Sequence, residues 1–209
     1  MAVPAQSTCY SGVADPVQVG IYIYDGAEVL DFSGPYEVFT TACRVGGVNL
    51  DPRLLAARPD VITARGGFRV LPDEVLGAHA PLDVLIVAGG EHEPQLSSPD
   101  ALSALRAAAE PARIVASVCT GAFLLAGAGL LDGRRVTTHW EDQSALAARF
   151  PELTVERDRR WVRDGRYVSS GGISAGIDMS LYLVSELADR ALARRTALQM
   201  EYRWLEASD

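Results

Sequence analysis

Cys119 is the residue whose position carries the most chemistry. It ends the β-branched apolar run "ARIVASV" and is followed by Thr120, Gly121 and an uncharged Ala/Leu-rich stretch. This order predicts a buried strand that turns sharply into a helix, a turn of the nucleophile-elbow kind. Unpaired backbone N–H groups and the positive end of the helix dipole then face the thiol. Both favour thiolate over thiol, so the expectation is a lowered pKa and a nucleophile. The Thr120 amide is placed to stabilise an oxyanion beside the sulfur. A second amide is expected from Gly89-Gly90, after the apolar run "LDVLIVA", because glycine lets backbone approach a substrate closely. Such a donor is worth about 3 kcal/mol in hydrolases. The competing reading is a buried cysteine acting only as a small hydrophobe.

The elements that must position these residues follow from apolar patterning. "VQVGIYIYDG" reads as a buried strand ended by Asp25-Gly26. A helix follows over "DFSGPYEVFTTACRVGG", with Ser33 as its cap, Pro35 in its first turn and Gly46-Gly47 at its end. "PRLLAARP" and "VITARGGFRVLPD" read as short strands with a hairpin around Gly66-Gly67. "LDVLIVAGG" has the length of a fully buried parallel strand. A helix over residues 100–109 precedes the Cys119 strand. After its helix come a strand "RRVTTH", a helix "EDQSALAARF" and a two-strand excursion around Asp164-Gly165. One long helical region, broken near Asp189, closes the chain.

Strands alternating with helices over short connections predict a doubly wound α/β fold with a mostly parallel sheet. Function in such sheets gathers at the carboxyl edge of the strands. Asp31, Gly89-Gly90, Cys119-Thr120 and His139 all fall at such junctions, with Gly171-Gly172 as a fifth.

Composition narrows the chemistry. The chain has 209 residues, formal net charge -8 and 48% hydrophobic residues. Residues 1–16 read as a loose tail and residues 17–209 as a single domain. All 19 cationic residues are arginine, which excludes a Schiff-base lysine, covalently held pyridoxal phosphate and a Walker-type phosphate loop. Scattered acidic charge argues against a nucleic-acid surface. Cys9, Cys43 and Cys119 are widely separated, with no C-x-x-C pair, so neither a disulfide framework nor a zinc knuckle is expected and a reducing cytoplasm fits. The N-terminus has no basic and apolar regions of a signal peptide, and no run is long enough to cross a bilayer, so no membrane partner is expected. His79, His92 and His139 have no metal-ligand spacing.

Four segments together, "SVCTGAFLLAGAGLLDGRRVTTHW", "VLDFSGPYEVF", "LIVAGG" and "SSGGISAGIDMSLYLVSELA", resemble the ThiJ/PfpI superfamily. The likeness is strongest to the branch with isocyanide hydratase and the amidotransferase-like domains of AraC-type regulators. It runs from about Val17 to Trp204. The resemblance implies a flavodoxin-like sandwich, a homodimer, a small-molecule substrate and no cofactor. It also implies Cys119 as nucleophile, Asp31 as the acidic residue beside the sulfur, Thr120 as hydroxyl or amide donor and Gly90 as oxyanion-hole glycine. His92 is a candidate pocket-lining group.

Thr120 stands where the protease-like and glyoxalase-like branches carry histidine, which weakens triad proteolysis and glyoxalase or deglycase chemistry. His139 and Glu141 have the H-x-E spacing of class I glutamine amidotransferases, but His139 reads rather as a hydrogen-bonded residue at a strand end. A thiol and a carboxyl in contact should share a proton, which suits attack and proton delivery at one carbon. The implied activity is hydration of an isocyanide to an N-formamide. The alternative is a ligand or redox sensor domain, which is expected not to act on DNA directly because the chain stops at Asp209 without helix-turn-helix units.

Overall fold

The computed structural model describes residues 15–206. Cys9 and most of the expected tail, residues 1–16, lie outside the described residues. The first half of the chain builds β1 (Val17–Tyr22), α1 (Val29–Val45), β2 (Leu50–Ala56), β3 (Ile62–Thr63), β4 (Arg69–Val70), β5 (Glu74–Val75), β6 (Val84–Val87), α2 (Glu93–Leu96) and α3 (Pro99–Ala109). The second half builds β7 (Ile114–Val118), α4 (Gly121–Gly127), β8 (Arg135–Val136), α5 (Gln143–Arg149), β9 (Thr154–Val155), β10 (Trp161–Asp164), β11 (Tyr167–Ser170), α6 (Ala175–Leu187) and α7 (Arg190–Gln199).

The main sheet has the order β10-β11-β7-β6-β1-β2-β5. Its pairs are parallel except β10 with β11, the hairpin around Asp164-Gly165. This is the mostly parallel, flavodoxin-like sheet expected. Helices flank it in two groups, α1 with α6 and α7, and α2 with α3 and α4. The central strands β6 and β7 are buried at every position, because helices cover both faces. Phe39, Val38 and Cys43 of α1 are core.

Three local expectations are corrected. Helix α1 starts at Val29, not after Ser33. The Ser33 hydroxyl donates to the Val29 carbonyl inside the helix, so it caps nothing, and Asp31 sits in the first turn. The strand in "RRVTTH" is two residues long and pairs with β9 in a separate small sheet, so His139 does not follow a strand of the main sheet. The final helix ends at Gln199, well before Trp204.

One charged pair ties a half-buried arginine to a buried carboxylate. The Arg160 guanidinium binds Asp178, which is fully buried, through Nε at 2.9 Å and through Nη2. Asp178 also accepts the Leu205 N–H on Oδ1 and, through its carbonyl, the Trp204 indole N–H. Arginine and aspartate in this geometry satisfy each other's buried donors and acceptors. Arg160 is thus half-buried, with its guanidinium turned inward onto a fully buried carboxylate.

Candidate active site

Cys119 follows the last residue of β7 with φ at +56°, in the left-handed region where a side chain is strained by about 1–3 kcal/mol. Three hydrogen bonds hold it there. Its N–H donates to the Ser170 and Gly171 carbonyls at 3.2 and 3.3 Å, and its own carbonyl accepts the Thr138 hydroxyl at 2.7 Å. The elbow read from the sequence is present, and α4 begins directly after Thr120.

Asp31 reaches the same point from α1. Its Oδ1 accepts the Ile173 N–H at 2.8 Å. Its Oδ2 faces the Cys119 thiol and the Gly89 amide and makes no hydrogen bond of ordinary geometry. Gly89 lies between the groups. A Cβ there falls 2.7 Å from Cys119 Cβ and 2.8 Å from Asp31 Oδ2, so only glycine fits. Ile173 also has a positive φ, +58°, so strained residues stand on both sides of the acid–thiol pair.

The electrostatics reverse one expectation. Burial pushes the Cys119 thiol well above its ordinary value and the Asp31 charge pushes it further, while the Thr120 N–H opposes both. Burial also raises the Asp31 carboxyl to about 7, against the pull of the Ile173 N–H and the thiol. Burial and the carboxyl neighbour thus push the thiol in the direction opposite to the one the helix N-terminus suggests. A helix of seven residues and one amide do not offset desolvation and a carboxylate neighbour. The Asp31 carboxyl, at about 7, has an ionised fraction near neutrality, and that carboxylate is the acceptor beside the sulfur for the thiol proton.

The Thr120 hydroxyl and the Gly90 amide are not free for the donor roles expected of them. The Gly90 N–H donates to Thr120 Oγ1 at 2.9 Å, and the Thr120 hydroxyl donates to the Gly90 carbonyl at 3.0 Å. The Gly90 amide is thus engaged, not an open oxyanion donor, and the Thr120 hydroxyl has spent its only proton. What Thr120 offers the site is its backbone N–H. Gly90, at φ +132°, bridges to Ala27, which ties the glycine loop to the turn before α1.

A cleft of about 280 Å³ opens over the sulfur, lined by Cys119, Thr120, Gly90, His92, Ile173, Arg65, Glu28 and the 139–142 loop. His92 packs on Phe123 with ring centroids 4.5 Å apart, its Nε2 buried without a hydrogen-bond partner. Sequence reasoning undervalued His139. Its ring flanks Gly172, where a Cβ falls 2.7 Å from His139 Cδ2 and 2.9 Å from Cys119 Sγ. Its Nδ1 stands 3.6 Å from Asp142 and 3.7 Å from Glu141. Ile173 was missed, for nothing in "GGISAG" signals that a backbone N–H will anchor a carboxyl 142 positions earlier. Among the described residues no cluster of side chains could hold a metal ion. None of the helices there is long and apolar enough to cross a membrane.

Comparison with known proteins bears on the family and the fold. An isonitrile hydratase of Pseudomonas putida is 35% identical over 199 residues, covering 89% of this chain and 78% of that protein. The HTH-type transcriptional regulator GbdR of Pseudomonas aeruginosa is 28% identical over 86% of this chain, which spans 49% of the regulator. The crystal structure of a THiJ/PfpI family protein from Pseudomonas syringae superposes with a TM-score of 0.82 at 28% identity, covering 96% of this chain and 82% of that one. The model of the DJ-1/PfpI family matches residues 17–186, and the chain belongs to that family.

Proposed function

We propose that this protein hydrates a small isocyanide to an N-formamide, with Cys119 as nucleophile and Asp31 as the group that carries protons. The observation that carries this reading is the juxtaposition of a buried carboxyl and a thiol at the floor of one cleft. The raised carboxyl, at about 7, both takes and returns a proton near neutrality. The likeness to an isonitrile hydratase supports the same class of substrate.

The terminal carbon of R–N≡C accepts a nucleophile and a proton at the same atom. Sulfur attacks that carbon while the thiol proton passes to Asp31 and from it to the carbon. The product is a thioimidate, R–N=CH–S–Cys119. Water, deprotonated by Asp31, then adds to the same carbon. Asp31 returns the water proton to nitrogen, giving R–NH–CH(OH)–S–Cys119; the carbon–sulfur bond then breaks as the hydroxyl proton passes to sulfur through Asp31, and R–NH–CHO leaves. The sum is R–N≡C plus H₂O, and no oxidant or cofactor enters the balance. The Thr120 N–H stabilises the charge that develops on sulfur as it departs.

Loss of p-nitrophenyl isocyanide, with formation of the matching formamide, tests the reading in purified protein. Turnover that disappears in Cys119→Ala supports it. No turnover, or equal turnover in the variant, overturns it. The second reading, a ligand or redox sensor, is favoured by likeness to a transcriptional regulator over most of the chain. Sulfinate at Cys119 after mild peroxide, found by mass spectrometry in protein that turns over no isocyanide, would favour it.

A further inference from the structure

The cleft over Cys119 is walled almost entirely by polar groups, Glu28, Arg65, His92, His139, Glu141 and Asp142, with Ile173 as its one large aliphatic side chain. The reacting carbon of an isocyanide suits that setting, but an apolar substituent on its nitrogen finds little surface there. A larger groove, about 540 Å³, begins on the other side of His139. The two cavities share His139 as a common wall, and the 139–143 loop rims both.

The groove has a mixed lining, with Thr138, Gln143, Asp158 and Arg159 on it, but it offers the one large aromatic face that the cleft lacks. Trp140 stands at its border and is 73% exposed, the most exposed large aromatic residue among the described residues. Gly171, Gly172 and Ala175 line it without bulk. Of the charged residues on the groove, Arg160 is matched by Asp178, while Asp158 and Arg159 stand on the stretch just before it. Gly172 is the closest link to the nucleophile, since even a methyl group there would touch sulfur. The His139 ring between the cavities has carboxylates only at 3.6–3.7 Å, so no short hydrogen bond fixes it against a passing substituent.

We infer that this groove is the subsite for the nitrogen substituent of the substrate, and that it selects an aromatic one by stacking on Trp140. The inference rests on the hydratase reading for the identity of the reacting group. The subsite itself has a readout that needs no turnover. A ring stacked on an exposed indole gains about 0.5–1.5 kcal/mol, a factor of about 2–12 in affinity.

The test uses the product class as the probe. Formanilide and N-methylformamide are titrated into isotope-labelled wild-type, Trp140→Ala and Trp140→Phe proteins, with the tryptophan indole signals followed by NMR. Formanilide should shift the Trp140 indole and the Gly172 amide saturably. Its affinity should fall about tenfold in Trp140→Ala and be largely kept in Trp140→Phe. N-methylformamide should leave the indole unmoved. Formanilide that does not shift the Trp140 indole, or that binds Trp140→Ala as tightly as wild type, overturns the subsite. In parallel, KM for phenyl isocyanide should rise about tenfold in Trp140→Ala, with KM for methyl isocyanide within twofold of wild type. Turnover of both substrates with no change in their ratio overturns the subsite and leaves the hydratase reading intact. Absence of any turnover, with the formanilide shift present, removes the hydratase reading and leaves an aromatic-ligand subsite standing.

Discussion

Thr120 and Gly90 are joined twice, the Gly90 N–H to Thr120 Oγ1 at 2.9 Å and the Thr120 hydroxyl to the Gly90 carbonyl at 3.0 Å. The residue after the nucleophile is therefore a clamp between two neighbouring strand ends. Thr120→Val removes both bonds and strands a Gly90 amide within the fold. The expected cost is about 1–3 kcal/mol in unfolding free energy, read by denaturant titration. Thr120→Ser keeps the hydroxyl and should stay close to wild type. Equal stability of the Val and Ser variants would refute the clamp.

Asp31→Asn keeps the shape of the side chain but removes its capacity to accept the sulfur proton. Formamide formation should fall by about 10²-fold or more. A kinetic assay of the purified variant checks this, and a loss below tenfold would remove Asp31 from proton transfer.

The same substitution changes how stability responds to pH. The Asp31 carboxyl titrates at about 7 in the fold against an ordinary value of 3.8. Its folded form therefore keeps a proton that the unfolded chain has lost. Stability from this group is full below about 4 and falls as pH rises through about 7, by up to about 1.4 kcal/mol per pH unit. Asp31→Asn should abolish that slope, so its melting temperature relative to wild type should climb between about pH 4 and 7 and level off above. Parallel curves for the two proteins would contradict a raised carboxyl.

Alkylation reports on the sulfur. Because burial and the Asp31 charge both hold the thiol proton, labelling of Cys119 by iodoacetamide should still be accelerating above pH 9. Asp31→Asn should lower the midpoint, since it removes the repelling charge, without bringing it below that of a free cysteine. Cys43 is buried in the core and should stay unlabelled in folded protein. A wild-type midpoint below 8 would reverse the assignment of charge in the pair.

Gly172→Ala tests the tightest point of the site. Its Cβ would stand 2.9 Å from Cys119 Sγ and 2.7 Å from His139 Cδ2. The His139 ring can yield, but the sulfur, held by a strained backbone, has less room to do so. Alkylation of Cys119 should slow at least tenfold while far-UV circular dichroism stays unchanged. Unaltered labelling would mean that the glycine loop moves away freely.

What was legible in the sequence was what patterning controls. The runs of Val84–Val87 and Ile114–Val118 have no reading other than buried strands, and Thr-Gly after Cys119 has few readings other than a sharp turn. Asp31 was placed beside the sulfur by resemblance. What was illegible depended on competition between partners. Ser33 has the chemistry of a cap but found a carbonyl four residues back. Thr120 has the chemistry of a substrate donor but found Gly90. The pKa of Cys119 was misjudged because dipoles can be read from helix order, whereas desolvation depends on what closes over the sulfur in three dimensions. "RRVTTH" had the composition of a main-sheet strand but left after two residues to pair with β9.

The pair of Arg160 and Asp178 links distant parts of the chain. The Arg160 carbonyl receives the Gly171 N–H at 2.9 Å, next to the glycine that abuts sulfur, while its guanidinium grips the carboxylate to which Leu205 is tied. The last described residues thus serve as a latch on the loop beside the nucleophile. Cutting the chain ahead of Trp204 would strip Asp178 of two donors and slacken that loop, so damage at one extremity would register as lost chemistry some 85 positions upstream.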